Sequence, residues 1–261
     1  MPETNLLLSE FNQGVLSLTL NRPKVNAFNS ELIAALRAGF QQAENEPQVR
    51  CVLLSGSGRS FSAGQDITEF RLARDVSIRE HLQRTYHPLV LQIRRLEKPV
   101  LAAINGTVSG AALGIALACD LRIAAETARF VVGFGGIGLA PDSAVSLLLP
   151  ALIGLGRATE FTFSNTPINA GQALAWGLVN RVTPADELAD QAIILAAALA
   201  HGPVKAMGLA KRAFNKAVLD NLGQVLDYEA YIQDIAGQGT EHKEGVAAFL
   251  EKRVPDFLSG A

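Results

Sequence analysis

The sequence predicts an α/β fold with mostly parallel strand pairing, followed by a helical C-terminal region. Three observations carry that prediction. Short aliphatic runs that suit strands alternate with helical segments through the first half of the chain. The links between them are short and marked by Gly, Pro and Asn. A composition shift near residue 195 separates an α/β body, 1–195, from a helical region, 196–261. The chain has 261 residues, 49% of them hydrophobic and 18% charged, so it can bury a sizeable core, and global disorder is excluded.

The elements follow in order. Val15–Leu20 reads as a strand with partial alternation, and Asn21-Arg22-Pro23-Lys24 ends it. Asn29 or Ser30 caps a helix over 31–44, with Leu32, Leu36 and Phe40 at helical spacing. Residues 49–55 include β-branched side chains and predict a strand, closed by Gly56-Ser57-Gly58. A helix is expected over 81–96, which Pro88 must kink or divide. Lys98-Pro99 leads into the strand Val100–Ile104, which ends at Asn105-Gly106. Residues 110–118 are small and apolar throughout, which suits a fully buried helix, and 120–124 is a further short strand. Helices are expected over 143–153, 156–163, 170–175, 186–200, 203–219 and 222–238, with Asn169 as the N-cap of the third. In the last, Leu222, Val225, Leu226, Tyr228, Ile232 and Ile235 either pack on the body or meet another subunit.

Composition removes several classes of function. Net charge is −2, which argues against nucleic acid held by bulk charge. Cys51 and Cys119 form no C-x-x-C, so neither a disulfide framework nor a Cys-built zinc site is expected. No run reaches about 18 uninterrupted apolar residues, the length a spanning helix needs, and no membrane partner is expected. Met1-Pro2-Glu3-Thr4 has no basic stretch leading into an apolar one, so a cytoplasmic protein is the expectation. Gly133-Phe134-Gly135-Gly136-Ile137-Gly138 matches a dinucleotide fingerprint, but Pro141 follows too soon for the helix that such a site requires. His81, His87, His201 and His242 are scattered without metal-ligand spacing, and each reads as a surface or satisfied structural group.

Three segments could carry chemistry. Phe61-Ser62-Ala63-Gly64-Gln65-Asp66 and Asn105-Gly106-Thr107-Val108-Ser109-Gly110-Ala111 are loops of small residues after strands. They are either tight turns or places where a ligand reaches backbone N–H groups. Two such N–H groups on one oxygen form an oxyanion hole, each worth on the order of 2.7–4 kcal/mol in the transition state. The third segment, Gly135 to Ser143, places Asp142 among apolar and small residues. Asp142 is either a helix cap or a desolvated carboxylate, raised above about 3.9, that accepts and donates a proton.

Taken together, these segments resemble the crotonase (enoyl-CoA hydratase/isomerase) superfamily. The resemblance rests on Asn21-Arg22-Pro23-Lys24-Val25-Asn26-Ala27, on Phe61-Ser62-Ala63-Gly64-Gln65-Asp66-Ile67 and on Lys98-Pro99-Val100-Leu101-Ala102-Ala103-Ile104-Asn105-Gly106. It continues through Ala118-Cys119-Asp120-Leu121-Arg122-Ile123-Ala124-Ala125, Ala175-Trp176-Gly177-Leu178-Val179-Asn180 and Phe249-Leu250-Glu251-Lys252-Arg253. It implies a spiral of ββα units with a C-terminal helical trimerisation region, assembled as a homotrimer or a dimer of trimers. It implies an acyl-CoA thioester as substrate, coenzyme A entering only as part of it, with no prosthetic group and no metal. The thioester oxygen would meet the N–H groups of Ala63 and Ala111. The family usually has Gly at the second place; Ala keeps the donor where its φ is negative. Ala63, Gly64, Gln65, Asp66 and Ile67 would lie along the adenine and pantetheine. Lys24, and Lys252 or Arg253 from a neighbouring subunit, would meet CoA phosphates.

The departures point to a reaction. The two glutamates with which the family's hydratases handle water correspond to Gly114 and Phe134, and neither can move a proton. Asp142 stands at a third family position and resembles the acid of the one-carboxylate isomerases, including the branch that acts on ring epoxides. The implied activity is an acyl-CoA isomerase that shifts a double bond, or isomerises a ring epoxide, through a thioester enolate. Hydratase-like chemistry is an alternative. A 4-chlorobenzoyl-CoA dehalogenase-like hydrolase is another, since Phe130-Val131-Val132 and Asp142-Ser143-Ala144 resemble that branch and His87 falls near its histidine, although Phe134 stands in its Trp place. A non-catalytic acyl-CoA-binding protein would keep Ala63 and Ala111 without needing Asp142. Asp66 reads as a loop brace, Glu69, Arg71 and Arg74 as a solvated face, and Trp176 and Tyr231 as core or subunit contacts. Glu241, Lys243 and Glu244 read as surface charge.

Overall fold

The computed structural model describes residues 5–68 and 77–258. Glu69, Arg71 and Arg74 lie outside the described residues. The chain opens with a hairpin that the sequence reading did not include: β1 (Leu7–Asn12) pairs antiparallel with β2 (Val15–Leu20). Its turn residues, Gln13 and Gly14, both have positive φ, 46° and 83°, the sign that a two-residue type I′ turn demands. Five of the six β1 residues are exposed, so the strand carries no apolar alternation to announce it.

α1 (Ser30–Asn45) starts at Asn29, whose side chain accepts from the Leu32 N–H at 2.9 Å, so Asn29 rather than Ser30 is the cap. β3 (Cys51–Gly56) and β4 (Ser60–Ser62) follow. The helix expected over 81–96 is divided into α2 (Ile78–Arg84) and α3 (Tyr86–Arg95). The break falls at Thr85, three residues before Pro88. A continuous helix would press the proline ring on the Arg84 carbonyl; the division puts Pro88 in a first turn, where no N–H is needed.

Next come β5 (Val100–Ile104), β6 (Thr107–Ser109) and α4 (Ala111–Ala118), whose eight residues are all buried. β7 (Leu121–Ala125), β8 (Arg129–Val131), a 3₁₀ turn over Gly135–Ile137, α5 (Val145–Ile153) and α6 (Leu155–Ser164) complete the middle. β9 (Ile168–Asn169), α7 (Ala170–Trp176) and β10 (Arg181–Thr183) lead into α8 (Leu188–His201) and α9 (Val204–Val218). α10 (Leu222–Gln238) and α11 (Thr240–Glu251) close the chain. Asn169 caps α7 in a reciprocal box with Gln172.

One sheet runs β1-β2-β3-β5-β7-β10 and is parallel apart from the hairpin. The other runs β4-β6-β8-β9 and is parallel apart from its last pair. Each turn of the chain adds a strand to each sheet: β3 then β4, β5 then β6, β7 then β8. The result is a spiral of ββα units. The larger sheet is covered on both faces. One face meets the main core, and the other meets Leu188, Ala192, Ala196 and Ala200 of α8. Its inner strands are therefore apolar runs without clean alternation.

The C-terminal helices fold back on the body, and residue 195 falls inside α8. Of the apolar α10 positions, Leu222 and Leu226 are buried, Val225 and Ile232 half-buried, and Tyr228 and Ile235 exposed. α11, which lies in the expected helical region though no bounds were expected for it, packs on the 3₁₀ turn. A β-carbon on Gly245 would lie 2.6 Å from the Ile137 Cα, so only glycine permits this approach. Cys51 and Cys119 are free and buried, and burial pushes both thiols up to about 12.

Candidate active site

The register of the smaller sheet sets the place of the site. Ser62 lies beside Val108 and Ser109 beside Val131, so the C-terminal ends of β4, β6 and β8 share one edge. That edge carries Ala63, then Gly110 and Ala111, then the segment from Val132 to Phe134. Carboxyl ends of parallel strands are the usual place for ligands in such sheets.

Gly110 has φ 59° and ψ −133°, a combination that only glycine adopts freely, and it turns β6 into α4. Ala111 opens α4 with negative φ, and its N–H, like others in a first turn, has no partner inside the helix. Gly64, at φ 84°, brings the two loops together. A β-carbon there would lie 2.7 Å from the Ser109 carbonyl oxygen and 3.4 Å from the Ala111 nitrogen.

Ala63 departs from the expectation. Its N–H donates to the Val25 carbonyl at 3.0 Å rather than standing open. The turn that presents Val25 is closed by the Asn26 N–H on the Arg22 carbonyl, 2.8 Å, and this places a peptide oxygen opposite the donor. A thioester oxygen would have to take over that bond. Among the described residues, Ala111 has no such competitor.

The rest of the loop is tied down. The Gln65 amide donates to the Phe28 carbonyl at 3.2 Å, while its oxygen accepts from Tyr86 at 2.7 Å and meets His81 Nε2 at 3.0 Å. Asp66 pairs with Arg22 at 2.6 Å and accepts from the Thr68 N–H and hydroxyl. Burial works to raise the Asp66 carboxyl, but hydrogen bonds from Thr68 and Arg22 outweigh it and hold the group below its ordinary value. Ile67 is half-buried and Lys24 exposed. Lys252 is exposed at the end of α11 with φ 57°, and among the described residues no hydrogen bond or ion pair brings it to the 63–67 loop. Its neighbour Arg253 is bound to Glu244 and Glu251.

Asp142 caps no helix. α5 begins three residues later, and its N-cap, Ala144, makes no side-chain bond. The Asp142 carboxylate is buried and held at both oxygens. Ser143 Oγ donates to Oδ1 at 2.7 Å, and Gln233 Nε2 of α10 donates to Oδ2 at 2.8 Å. The Gln233 oxygen accepts from the Ala140 N–H at 3.0 Å, which fixes the amide so that its NH₂ faces the carboxylate. Burial pushes Asp142 up to about 6 against the pull of Ser143 and Gln233. Such a carboxylate is largely ionised at neutral pH and is a stronger proton acceptor than an exposed one.

Gly114 lies one turn beyond Ala111 on α4, and Ser143 rests against it. A β-carbon at 114 would come within 2.4 Å of the Ser143 carbonyl oxygen and 2.7 Å of its Cβ. Phe134 is buried and opens the 3₁₀ turn. The two places where the resemblance puts hydratase glutamates are thus filled by Ser143 and by an aromatic ring.

Two side chains escaped the sequence reading. Gln233 and Glu229 are fully buried on α10. Their signal was available, because they fall in phase with Leu222, Leu226 and Ala230 on a face that is otherwise apolar. His87 also differs from its expectation of a surface or satisfied group. It is buried, its Nδ1 stands 3.9 Å from Asp227, and its Nε2 has no hydrogen-bond partner. Burial lowers its proton affinity, and Asp227 partly offsets this. His81 meets Gln65, His201 meets the Ala197 carbonyl, and His242 meets the Ile137 carbonyl. Trp176 packs edge-on to Phe161 under Arg157, and Tyr231 is exposed.

The double-sheet spiral, with the buried Asp142 carboxylate on a turn packed against Gly114 of α4, defines an acyl-CoA enzyme of the crotonase fold. The sequence model of the enoyl-CoA hydratase/isomerase family matches residues 10–260, and the chain belongs to that family. It is 40% identical over 257 residues to a 1,2-epoxyphenylacetyl-CoA isomerase of Escherichia coli (strain K12), covering 96% of this chain and 97% of that one. It is 37% identical over 249 residues to a probable enoyl-CoA hydratase of Rhodobacter capsulatus, covering 95% and 96%. The crystal structure of an enoyl-CoA hydratase from Mycobacterium avium subsp. paratuberculosis K-10 superposes with a TM-score of 0.87 at 35% identity, covering 97% of this chain and 99% of that one.

Proposed function

We propose that the protein is an acyl-CoA isomerase in which Asp142 is the single base. The observation that carries this reading is the seat of Asp142: a buried carboxylate gripped by Ser143 and Gln233, with Ser143 closing the space over Gly114. The Ala111 N–H binds the thioester oxygen, joined by the Ala63 N–H once it leaves Val25. Charge that develops on that oxygen is stabilised by the Ala111 N–H already in place and by the Ala63 N–H after this exchange. Ionised Asp142 takes a proton from the acyl chain and gives a dienolate. The protonated acid then returns a proton two carbons along, so the double bond moves and the base is regenerated. One acid is enough for this cycle. Phe134 keeps water from the intermediate.

The name of the Escherichia coli relative supports ring-epoxide thioesters as a substrate class beside linear 3-enoyl thioesters. On the resemblance, Lys24 meets a CoA phosphate and Lys252 serves the CoA of a neighbouring subunit in a trimer or a pair of trimers. Exposed Phe214, Val218, Tyr228, Tyr231 and Ile235 support self-association. A monomer mass in sedimentation would overturn that part.

The test is turnover of 3-enoyl-CoA and of a ring-epoxide phenylacetyl thioester, with Asp142→Asn alongside. Wild-type turnover of either substrate, reduced on the order of 100-fold or more in Asp142→Asn with ligand affinity kept, is the expected result. Water addition to 2-enoyl-CoA that survives in Asp142→Asn would overturn the reading in favour of a hydratase.

A further inference from the structure

Glu229 is buried on α10, and the cycle above does not use it. Its Oε2 accepts from the Ala144 N–H at 2.8 Å. Its Oε1 accepts from the Ser146 N–H at 3.0 Å and from the Ser146 hydroxyl. Two donors are on Ser146 in the first turn of α5, and one is on the turn that follows Asp142. That turn needs holding, because Ser143 and Ala144 both lie in the left-handed region, at φ 55° and 66°. Glu229 and Gln233 are one helical turn apart, so one face of α10 grips both the base and its loop.

No cation answers the Glu229 charge; among the described residues, Asp142 is the charged group that acts on it. Of the titratable groups on the elements packed against α10, Arg79, Arg95, Glu241, Lys243 and Glu251 are exposed, and Arg94 pairs with Asp120. On α2, His81 meets Gln65, and Glu80 pairs with Arg84. On α3, His87 leans to Asp227. On α11, His242 meets Ile137 and Glu244 meets Arg253. α5 has no titratable side chain. Two acids in one dry pocket oppose each other's ionisation.

We propose that Glu229 is a positioning residue for the base: it clamps the turn after Asp142 onto the start of α5, and its own ionisation, which follows that of Asp142, strengthens Asp142 as a base. The proposal rests on Asp142 being the base. Burial pushes Glu229 up to about 7 against the donors of Ser146 and Ala144, and Asp142 adds to the rise.

The test titrates ¹³C-labelled Asp and Glu carboxyl signals in the full chain, in wild type, Glu229→Gln and Asp142→Asn. The Glu229 midpoint should fall by about half a pH unit or more in Asp142→Asn, because of two coupled acids the one that ionises second carries the shift. In Glu229→Gln the rise of kcat/KM with pH should keep its Asp142 limb and lose the further rise at the Glu229 midpoint. An unmoved Glu229 midpoint overturns the proposal, and Asp142→Asn decides alone if Glu229→Gln does not fold. Full turnover in Asp142→Asn overturns the base reading, and the role of Glu229 with it, whatever the titrations show. Lost turnover beside uncoupled titrations overturns the role of Glu229 alone.

Discussion

Gly114 and Ser143 share a space that holds only one of their side chains: a β-carbon at 114 would lie 2.4 Å from the Ser143 carbonyl oxygen. The glycine is therefore more than a missing glutamate. It is the hollow on α4 into which the turn after Asp142 fits. A carboxylate on this face of α4 and a carboxylate at 142 compete for the same ground.

Gly114→Glu tests that exclusion. The new side chain must push the Asp142 turn away, because the atoms it meets are backbone. The proposed isomerase activity should be lost and hydratase activity should not appear. The cost in stability should be about 1–3 kcal/mol, or more, as for other overpacked cores. Gain of water addition with an unchanged melting temperature would contradict the steric argument.

Gln233→Leu removes the donor to Asp142 Oδ2 and leaves the Ala140 N–H without its acceptor. A hydrogen bond to the charged form favours that form, so its loss raises the proton affinity of Asp142. The acid limb of the pH–rate profile should move to higher pH. Stability should fall by about 1–3 kcal/mol, the cost of unpaired buried polar groups. A loss of stability with an unshifted profile would show that Gln233 supports the fold without tuning the base.

Stability should depend on pH through Asp142. Folding raises this acid from 3.8 to about 6. A raised acid binds its proton more tightly when folded, so its contribution is complete below 3.8 and is lost as pH rises through about 6. Asp142→Asn has no such loss. Urea denaturation of both proteins at about pH 4.5, 6 and 8 measures the gap between them. The gap should shift towards the variant by on the order of 2 kcal/mol across that range. A gap that is constant with pH would mean that Asp142 folds without a raised proton affinity.

Much of the spiral was legible because its large elements carry local signals. Val15–Leu20, Val100–Ile104 and the wholly apolar α4 were each placed by residue type and spacing. β4, β6, β8 and β9 were not, since two or three residues are too few to show a period. Their side-by-side ends nonetheless set the site. Pro88 announced a break, but the steric clash acts on the carbonyl four residues back, so the break lies at Thr85. Asp142 stood out as a carboxylate among small residues. Its partner Gln233 is 91 positions away, a contact that no local pattern specifies. Only the helical phase of two polar residues on a buried face hinted at it.

That separation has a consequence for biosynthesis. Both sheets and the turn bearing Asp142 are complete in sequence well before Glu229 and Gln233 leave the ribosome. A nascent or clipped chain that stops short of α10 holds the sequence of every strand, and its Asp142 keeps Ser143 but lacks Gln233. The seat of Asp142 is therefore among the later parts of this fold to be completed.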